Sequence, residues 1–325
     1  MLRSIDIRVE CWPLRAPFRI ARGTRTQIEV VVVTIGEAGM VGRGEGTPSA
    51  RYGETPQSVR MQIEAAIPAL RSGCDRMALR TLMPPGSARN AVDAALWDLE
   101  ARLAASIAPV LPPLISAQTV SIDRPEAMAQ AARKLARARL VKVKVDAADP
   151  ETCLRAVRRS LPDTTLIVDA NEAWTMPLLA AMQPVLAELG IALLEQPLPA
   201  GKDAALEGFT PQVPICADES CHVATDIERL RGLYRFVNIK LDKTGGLTEA
   251  RALYEAARAA GMGVMVGCML ATSLGIAPAL RIAAQADFVD VDGPWWLLED
   301  RPGGLRVLDD GVVMPPQPGF WGGME

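Results

Sequence analysis

The sequence contains a single histidine, His222, and this scarcity removes several kinds of active site. A zinc site built on two histidines cannot form, and a Ser-His-Asp triad would need His222 itself as its base. The residues just before it, Glu219, Ser220 and Cys221, form no nucleophile motif. We therefore expect His222 to have a structural role.

The cysteines are few and contain no C-x-x-C pair; they are Cys11, Cys74, Cys153, Cys216, Cys221 and Cys268. This spacing argues against a metal cluster or a disulfide framework and favours reduced thiols. The N-terminal segment MLRSIDIRVECWPL lacks the apolar core and the cleavage site of a signal peptide. Both observations predict a cytoplasmic location.

The chain also lacks a large charge of either sign and long apolar runs. A net charge of -3 gives no basic footprint for nucleic acid or for an anionic membrane. No segment approaches the roughly 20 uncharged apolar residues that a membrane span requires. We therefore expect a small-molecule substrate rather than a nucleic acid or membrane partner, and the sequence is compatible with a homo-oligomer.

The last two thirds of the chain repeat a unit of an apolar, β-branched run followed by a helical stretch. Continuous apolar strands that alternate with helices indicate a parallel sheet covered on both faces. Eight such strands predict a closed barrel, and the Gly- and Pro-rich segment after the last strand makes it a (β/α)7β barrel. The predicted strands are 117–122, 140–145, 165–170, 192–197, 213–218, 236–241, 263–269 and 287–292.

The beginning of the chain reads differently from the barrel. Alternating strands with a hairpin near Gly39, followed by helices at about 56–72 and 88–105, predict an α+β capping domain. The predicted organisation has three parts. They are a capping domain at 1–112, the barrel at 113–293, and a C-terminal tail at 294–325 that returns to the capping domain.

The strongest functional signal is the charge at the ends of the barrel strands. Five consecutive strands, the second to the sixth, carry Lys, Asp, Glu, Asp and Lys in that order; these residues are Lys144, Asp169, Glu195, Asp218 and Lys240. Such side chains are seldom buried unless they are paired or bind metal. Active sites of these barrels lie at the C-terminal strand ends, so we expect the five side chains to converge there.

The chemistry of these side chains suggests their roles. Asp169, Glu195 and Asp218 are hard oxygen ligands suited to Mg2+. Lys144 and Lys240 flank them and can reach opposite sides of a molecule held on that metal. With a base on one face and an acid on the other, a carbon beside a carboxylate can lose a proton and regain it with inversion. Lys142, on the same strand face as Lys144, supplies positive charge that favours a neutral Lys144.

Several motifs resemble those of the enolase superfamily, whose members use a Lys or His base with Mg2+. They are KVK at 142–144, VDANEAW at 168–174, EQPLPA at 195–200, ICADES at 215–220 and NIKLDKTGG at 238–246. The resemblance covers almost the whole chain. Lys240 stands where the mandelate-racemase-like branch uses a His–Asp dyad. The sequence is therefore more similar to the muconate-lactonising-like branch.

Within that branch, VDVDGPWWL at 289–297 resembles the Asp-x-Asp motif of dipeptide epimerases, and further segments resemble those that act on L-Ala-D/L-Glu. The resemblance implies epimerisation of L-Ala-D-Glu to L-Ala-L-Glu, in murein peptide recycling, through a metal-stabilised enediolate. It also implies that Asp290 and Asp292 hold the substrate ammonium. The other substrate contacts expected are Thr119, Lys142, Cys268 and, for the glutamyl carboxylate, Arg22 or Arg25 of a capping loop. A solvated basic turn is the alternative for the two arginines.

Two other hypotheses stay open at this point. The same chemistry could act on another dipeptide, an N-acylamino acid, an o-succinylbenzoate precursor or a muconate. The N-acyl, succinylbenzoate and muconate substrates have no free ammonium group, so Asp290 and Asp292 would lack a partner. A barrel that binds metal and peptide without turnover is the non-enzymatic alternative. Retention of both Lys144 and Lys240 argues against it, because binding alone needs no base on two faces.

Overall fold

The computed structural model describes residues 2–20, 23–107 and 110–324. Arg22 lies outside these residues, so its contact with substrate stays a prediction. No helix in the part of the chain that the structure describes is both long and apolar enough to cross a bilayer.

The N-terminal domain begins with an antiparallel sheet of three strands in the order β1-β2-β3; their bounds are Ser4–Ile20, Gly23–Glu37 and Met40–Gly46. The hairpin between β2 and β3 turns at Ala38 and Gly39, whose φ angles are 49° and 79°. Positive φ at both central residues is the geometry that a two-residue hairpin favours. The hairpin expected at Gly39 is therefore present.

Three helices pack on this sheet, namely α1 (Pro56–Arg71), α2 (Arg76–Leu82) and α3 (Ser87–Leu103). The sequence predicted α1 and α3, whereas the seven-residue α2 was not predicted. Helix α3 approaches β3 closely, and a Cβ added to Gly44 would lie 2.1 Å from the Ala91 carbonyl oxygen. The glycines of β3, Gly42, Gly44 and Gly46, therefore allow α3 to pack closely against this strand.

After a short strand, β4 (Leu114–Ile115), eight parallel strands form the barrel. Their bounds are β5 Gln118–Val120, β6 Leu140–Lys144, β7 Thr165–Asp169, β8 Ile191–Glu195, β9 Ile215–Ala217, β10 Phe236–Ile239, β11 Gly263–Gly267 and β12 Phe288–Asp290. Strands β5 and β12 do not share a ladder, but the Ala117 N–H donates to the Val289 carbonyl at 2.8 Å near their junction. The predicted barrel with an N-terminal α+β domain is confirmed.

The helices around the barrel differ in length. Their bounds are α4 Pro125–Lys134, α5 Pro150–Ser160, α6 Met176–Glu188, α7 Ile227–Leu230, α8 Leu241–Thr244, α9 Leu247–Ala259, α10 Ser273–Ile276 and α11 Leu280–Ala283. Four of them, α4, α5, α6 and α9, have 10–13 residues, and the other four described there have four residues each. Between β8 and β9, the described chain forms only a 3-10 helix at Asp203–Leu206. Pro197, Pro199 and Gly201 interrupt that segment and prevent a longer helix.

The C-terminal segment contacts both parts of the molecule. Strand β13 (Arg306–Val307) pairs with β14 (Val312–Met314), and β14 in turn pairs with β4. Farther on, the Trp321 indole N–H lies 3.1 Å from the Arg43 carbonyl and 3.2 Å from the Ala94 carbonyl, both in the N-terminal domain. The division into three parts at residues 112 and 293 stays a prediction.

Candidate active site

A cavity of about 540 Å³ opens at the C-terminal ends of the barrel strands. One wall comes from the barrel and includes Lys144 and Lys240. The opposite wall comes from the N-terminal domain, chiefly from the segment 47–52, which we call the capping segment. All predicted site residues in the described part of the chain either line this cavity or contact a residue that lines it. Those that line it are Arg25, Thr119, Lys142, Lys144, Asp218, Lys240, Cys268, Asp290 and Asp292, while Asp169 and Glu195 contact Lys142.

The alternation of side chains along each strand brings the charged residues together. An apolar layer closes the other end of the barrel interior and includes Leu140, Ile167, Leu193 and Cys216. Residues two positions farther along a strand share the same face and lie nearer the cavity. We call the resulting buried group the lysine–carboxylate cluster; its members are Lys142, Lys144, Lys240, Lys243, Asp169, Glu195, Asp218, Glu219, Asp290 and Asp292.

On one side of the cluster, Lys144 pairs with the aspartate of the neighbouring strand. Its Nζ lies 2.8 Å from Asp169 Oδ2 and 3.0 Å from Asn171 Oδ1. The other carboxylate oxygen, Asp169 Oδ1, accepts the Asn171 backbone N–H at 2.9 Å. Burial alone would raise the pKa of Asp169, but Lys142 and Lys144 lower it below its usual range.

On the other side, Lys240 pairs with Asp218 in the same way. Lys240 Nζ lies 2.7 Å from Asp218 Oδ2, and Lys243 Nζ lies 2.7 Å from Asp218 Oδ1. Lys243 is almost fully buried and also donates to the carbonyls of Asp218, Cys221 and Asn238. Burial opposes charge on Asp218, but the lysines around it lower its pKa well below the usual range.

Glu195 lies between these two sides and forms an ion pair with Lys142. Lys142 Nζ is 2.7 Å from Glu195 Oε2, 3.1 Å from Asp169 Oδ2 and 2.9 Å from Asp290 Oδ2. The second Glu195 oxygen, Oε1, accepts the side-chain N–H of Asn238 at 2.7 Å. Burial and the neighbouring Asp169 nevertheless raise the pKa of Glu195 to about 7.

Asp290 and Asp292 both line the cavity, as their spacing predicts. Asp292 Oδ2 accepts the backbone N–H of Thr119 at 3.2 Å and the indole N–H of Trp296 at 3.1 Å. Burial and the neighbouring Asp290 raise the pKa of Asp292 to about 7. Two adjacent buried carboxylates therefore have a deficit of positive charge, which favours a cationic group in the cavity.

The residues of the cluster fit a divalent cation. Its carboxylates outnumber its ammonium groups by two, and Glu195 keeps a raised pKa despite its contact with Lys142. Among the described residues, no three histidine, cysteine, aspartate or glutamate side chains already form a metal-ligand group. Lysine ammonium groups lie between the carboxylates instead. Three buried carboxylates, Asp169, Glu195 and Asp218, form a hard oxygen donor set that suits Mg2+.

The remaining predicted residues have weaker contacts in this structure. Arg25 is exposed at the mouth of the cavity, and Cys268 is half-buried in its wall. His222 lies outside the cavity lining and has its ring 4.9 Å from that of Tyr52, in an edge-on arrangement. The ring of Trp296 packs against Phe18 at 4.7 Å. The structural role expected for His222 is consistent with these contacts.

Several residues of the site lay outside the sequence-based set, among them Asn238, Gln196 and Tyr52. Asn238 could have been found, because it precedes Lys240 by two positions and therefore shares its face. Gln196, whose side-chain oxygen accepts the Asp218 backbone N–H at 2.8 Å, had no such signal. Tyr52 belongs to the capping segment, and loops carry no periodic pattern from which its position could be derived.

The fold and the cluster define a barrel with buried lysines and carboxylates at the C-terminal ends of its strands. The chain belongs to the enolase superfamily. Residues 3–111 match the N-terminal domain of the mandelate racemase / muconate lactonizing enzyme family. Residues 126–321 match the family described as enolase C-terminal domain-like.

Individual relatives sharpen this assignment. The chain is 52% identical to the L-Ala-D/L-Glu epimerase of Escherichia coli K12, over 92% of this chain and 96% of that one. It is 41% identical to an N-acetyl-D-glutamate racemase of Pseudoalteromonas sp, over 90% of this chain and 95% of that one. The predicted isomerase class is therefore confirmed at the level of the family.

Solved structures agree with the sequence relatives. An enolase family member from Agrobacterium tumefaciens, with bound sodium and L-Ala-L-Glu, has a TM-score of 0.95 at 44% identity and covers 98% of this chain and 100% of its own. Further solved dipeptide epimerases, 26–30% identical, are complexed with Mg and a dipeptide. Their TM-scores are 0.88–0.90.

Proposed function

We propose that this protein is a dipeptide epimerase that interconverts L-Ala-D-Glu and L-Ala-L-Glu. The observation that carries the proposal is the position of Lys144 and Lys240. They reach one cavity from the two ends of an arc of buried carboxylates. A carbon placed between them has a proton-transfer group on each face, which is what inversion requires.

Asp169, Glu195 and Asp218 would hold Mg2+ in this enzyme. When bound, the cation neutralises the glutamyl α-carboxylate and stabilises the negative charge that develops there as the α-proton leaves. Support comes from the excess of carboxylates in the cluster and from the relatives that are complexed with Mg. Lys142 lies among the same carboxylates and contributes fixed positive charge.

The proton steps use the two lysines in turn. Neutral Nζ of one lysine accepts the proton from the glutamyl Cα, and the bonding electrons move into the carboxylate group. The ammonium of the other lysine then donates a proton to the opposite face of Cα. The reverse direction exchanges their roles, so each lysine serves as the base for one diastereomer.

The remaining residues of the cavity would bind the rest of the dipeptide. Asp290 and Asp292 would hold the α-ammonium of the alanyl residue, since they lack sufficient positive charge between them. Arg25 at the mouth, or Arg22, would meet the glutamyl side-chain carboxylate. Thr119 and Cys268 line the same cavity and would contact the dipeptide between these ends.

A second candidate is racemisation of an N-acylated glutamate. It is favoured by the 41% identical relative that is an N-acetyl-D-glutamate racemase. The chemistry at Cα would be the same. However, an acylated nitrogen carries no charge, so it would offer no cation to the buried Asp292, while Asp290 would keep only its ion pair with Lys142. We therefore favour the dipeptide with its free amino group.

We further propose that the activity serves the recycling of murein peptides in the cytoplasm. The reaction would return the D-glutamyl dipeptide to an all-L form.

The proposal is tested by proton NMR in D2O with purified protein, Mg2+ and L-Ala-D-Glu. We expect loss of the glutamyl α-proton signal together with appearance of the L,L diastereomer, and EDTA should abolish both. N-acetyl-D-glutamate in a parallel tube distinguishes the second candidate. Faster exchange of that compound than of the dipeptide would transfer the assignment to it, and exchange of neither would contradict the proposed chemistry.

A further inference from the structure

A buried glutamine, Gln196, lies behind the lysine–carboxylate cluster and directly follows Glu195. Its side chain is fully buried, and its φ of 31° falls in the left-handed region. For a non-glycine residue this conformation is unfavourable, and it persists only where surrounding contacts hold it. The contacts of Gln196 therefore indicate what the conformation achieves.

The side-chain amide of Gln196 is bound at both ends. Oε1 accepts the backbone N–H of Asp218 at 2.8 Å and that of Ser220 at 3.1 Å. Nε2 donates to the Leu198 carbonyl at 2.8 Å, to Ser220 Oγ at 3.0 Å and to Tyr234 Oη at 3.3 Å. The amide thus joins the end of β8 to the residues that follow β9.

The surrounding hydroxyl groups allow only one orientation of this amide. Ser220 Oγ and Tyr234 Oη each donate their proton to Asp203 Oδ1, both at 2.6 Å, so each presents a lone pair to Gln196 Nε2. Rotation of the amide by 180° would set its oxygen against the Leu198 carbonyl oxygen. It would also set its NH2 against two N–H groups.

The main chain of Gln196 extends the connection to a third strand. Its N–H donates to the Cys216 carbonyl at 2.9 Å, and its carbonyl accepts the N–H of Glu172 at 2.8 Å. Glu172 belongs to the turn after β7 and has a left-handed φ of 69°. Gln196 therefore binds the ends of β7, β8 and β9. These three strand ends carry Asp169, Glu195 and Asp218.

We propose that Gln196 is a positioning residue that fixes Glu195 relative to Asp218 and thereby sets the affinity for the divalent cation. The inference rests on the proposed function, because it takes these carboxylates as the cation's ligands. Gln196 is not among the residues that line the cavity. Residues that orient metal ligands from behind typically change metal affinity by about 10–100-fold when they are replaced.

The test replaces Gln196 by Met, which keeps the length of the side chain and removes its hydrogen bonds. Mg2+ is titrated calorimetrically into the full-length, EDTA-treated protein, and the thermal midpoint is recorded alongside. We expect Gln196→Met to weaken Mg2+ binding by about 10-fold or more. The kcat/KM for the dipeptide should fall with it at a fixed, subsaturating Mg2+ concentration.

Gln183 provides a matched control. It is also a buried glutamine and accepts a backbone N–H, that of Val213, at 2.8 Å, but it lies on the outer helix α6. Gln183→Met should lower the thermal midpoint while leaving Mg2+ affinity unchanged. A purely structural role for Gln196 predicts the same pattern for both variants, which separates the two explanations.

Folded Gln196→Met with the Mg2+ affinity of the wild type would overturn the inference and leave the proposed function intact. If that variant does not fold, Ser220→Ala and Tyr234→Phe each remove one group that orients the amide. Both should weaken Mg2+ binding, and wild-type affinity in both would equally overturn the inference. A wild-type protein that binds no Mg2+ would instead overturn the proposed function, and this inference with it.

Discussion

The two sides of the lysine–carboxylate cluster are alike in what faces the cavity and different in what lies behind it. On each side a lysine, Lys144 or Lys240, pairs with an aspartate of the neighbouring strand at 2.7–2.8 Å. Behind Asp169, the second oxygen is held by a backbone N–H in a left-handed turn at Asn171. Behind Asp218, it is held by the charge of Lys243.

This difference shows that two similar lysine–aspartate pairs can be held in place by different groups behind them. A backbone N–H is present whatever side chain occupies position 171, so Asp169 depends on the path of the chain. Asp218 depends on one particular side chain, because Lys243 forms an ion pair with its carboxylate and donates to three surrounding carbonyls. The side that carries Lys240 should therefore be the more sensitive to substitution of its support.

The largest effect should come from removing the two lysines that make the sides alike. Lys144→Ala and Lys240→Ala should each lower epimerisation by about 10³-fold, within the range attributed to general acid–base groups. Each variant should retain exchange of the α-proton from one diastereomer only, and the two should differ in which. NMR in D2O, started separately from L-Ala-D-Glu and L-Ala-L-Glu, measures both quantities.

Lys202→Ala is the matched control, since Lys202 is an exposed lysine outside the cavity lining. Its rates should equal those of the wild type. Undiminished epimerisation by both Lys144→Ala and Lys240→Ala would show that the two-lysine assignment is wrong.

The next effect compares the supports themselves. Lys243→Met removes one partner of a buried ion pair and should lower the free energy of unfolding by about 3–5 kcal/mol. Asn171→Ala removes one side-chain hydrogen bond to Lys144 but keeps the backbone N–H, so the loss should be about 1–3 kcal/mol. Urea unfolding at equilibrium measures both losses. Equal losses would contradict the difference between the two sides.

The last prediction concerns an effect that appears only as the pH changes, at Asp242, two residues beyond Lys240. Its Oδ1 accepts the Thr47 N–H at 2.9 Å and the Asn90 side-chain N–H at 2.8 Å, and burial raises its pKa from 3.8 to about 7. The folded state holds the Asp242 proton more tightly than the unfolded state does. The protonated carboxyl therefore makes its full contribution to the free energy of unfolding below about pH 4. This contribution is lost as the pH rises through about 7.

Asp242→Asn keeps an acceptor oxygen and removes the ionisation. Its free energy of unfolding, relative to the wild type, should therefore improve between pH 4 and pH 7, by at most about 1.4 kcal/mol per pH unit. Urea titrations at several pH values measure this difference. A difference that does not vary with pH would mean that Asp242 is ionised normally in the folded protein.

Much of the site could be predicted because strand ends follow a simple rule. Parallel strands place their C-terminal ends at one edge, and period two decides which side chains face inward. The order of Lys144, Asp169, Glu195, Asp218 and Lys240 along the chain is therefore also their order around the barrel. Asn238 obeys the same rule and could have been added from the sequence.

The supporting residues could not be predicted because they depart from that rule. Gln196 follows a strand with a left-handed backbone, and Lys243 lies in the four-residue helix α8. Their partners are fixed by local turns that no periodicity describes. Contacts between residues far apart in the sequence could not be predicted either. The Glu45 carboxylate, for example, pairs with Arg301, 256 residues away along the chain. By contrast, the prolines between β8 and β9 explain why that segment forms no longer helix.

Two domains form the cavity wall, and this division offers a route to new substrates. The barrel supplies the lysines and carboxylates, whereas the capping segment at 47–52 supplies much of the facing surface. That segment is anchored through Thr47, whose N–H bonds Asp242 and whose hydroxyl bonds the Leu270 carbonyl. Randomising positions 49–52 while keeping Thr47 would therefore vary the shape of the cavity and leave Lys144 and Lys240 unchanged. A selection on such a library would evolve specificity separately from catalysis.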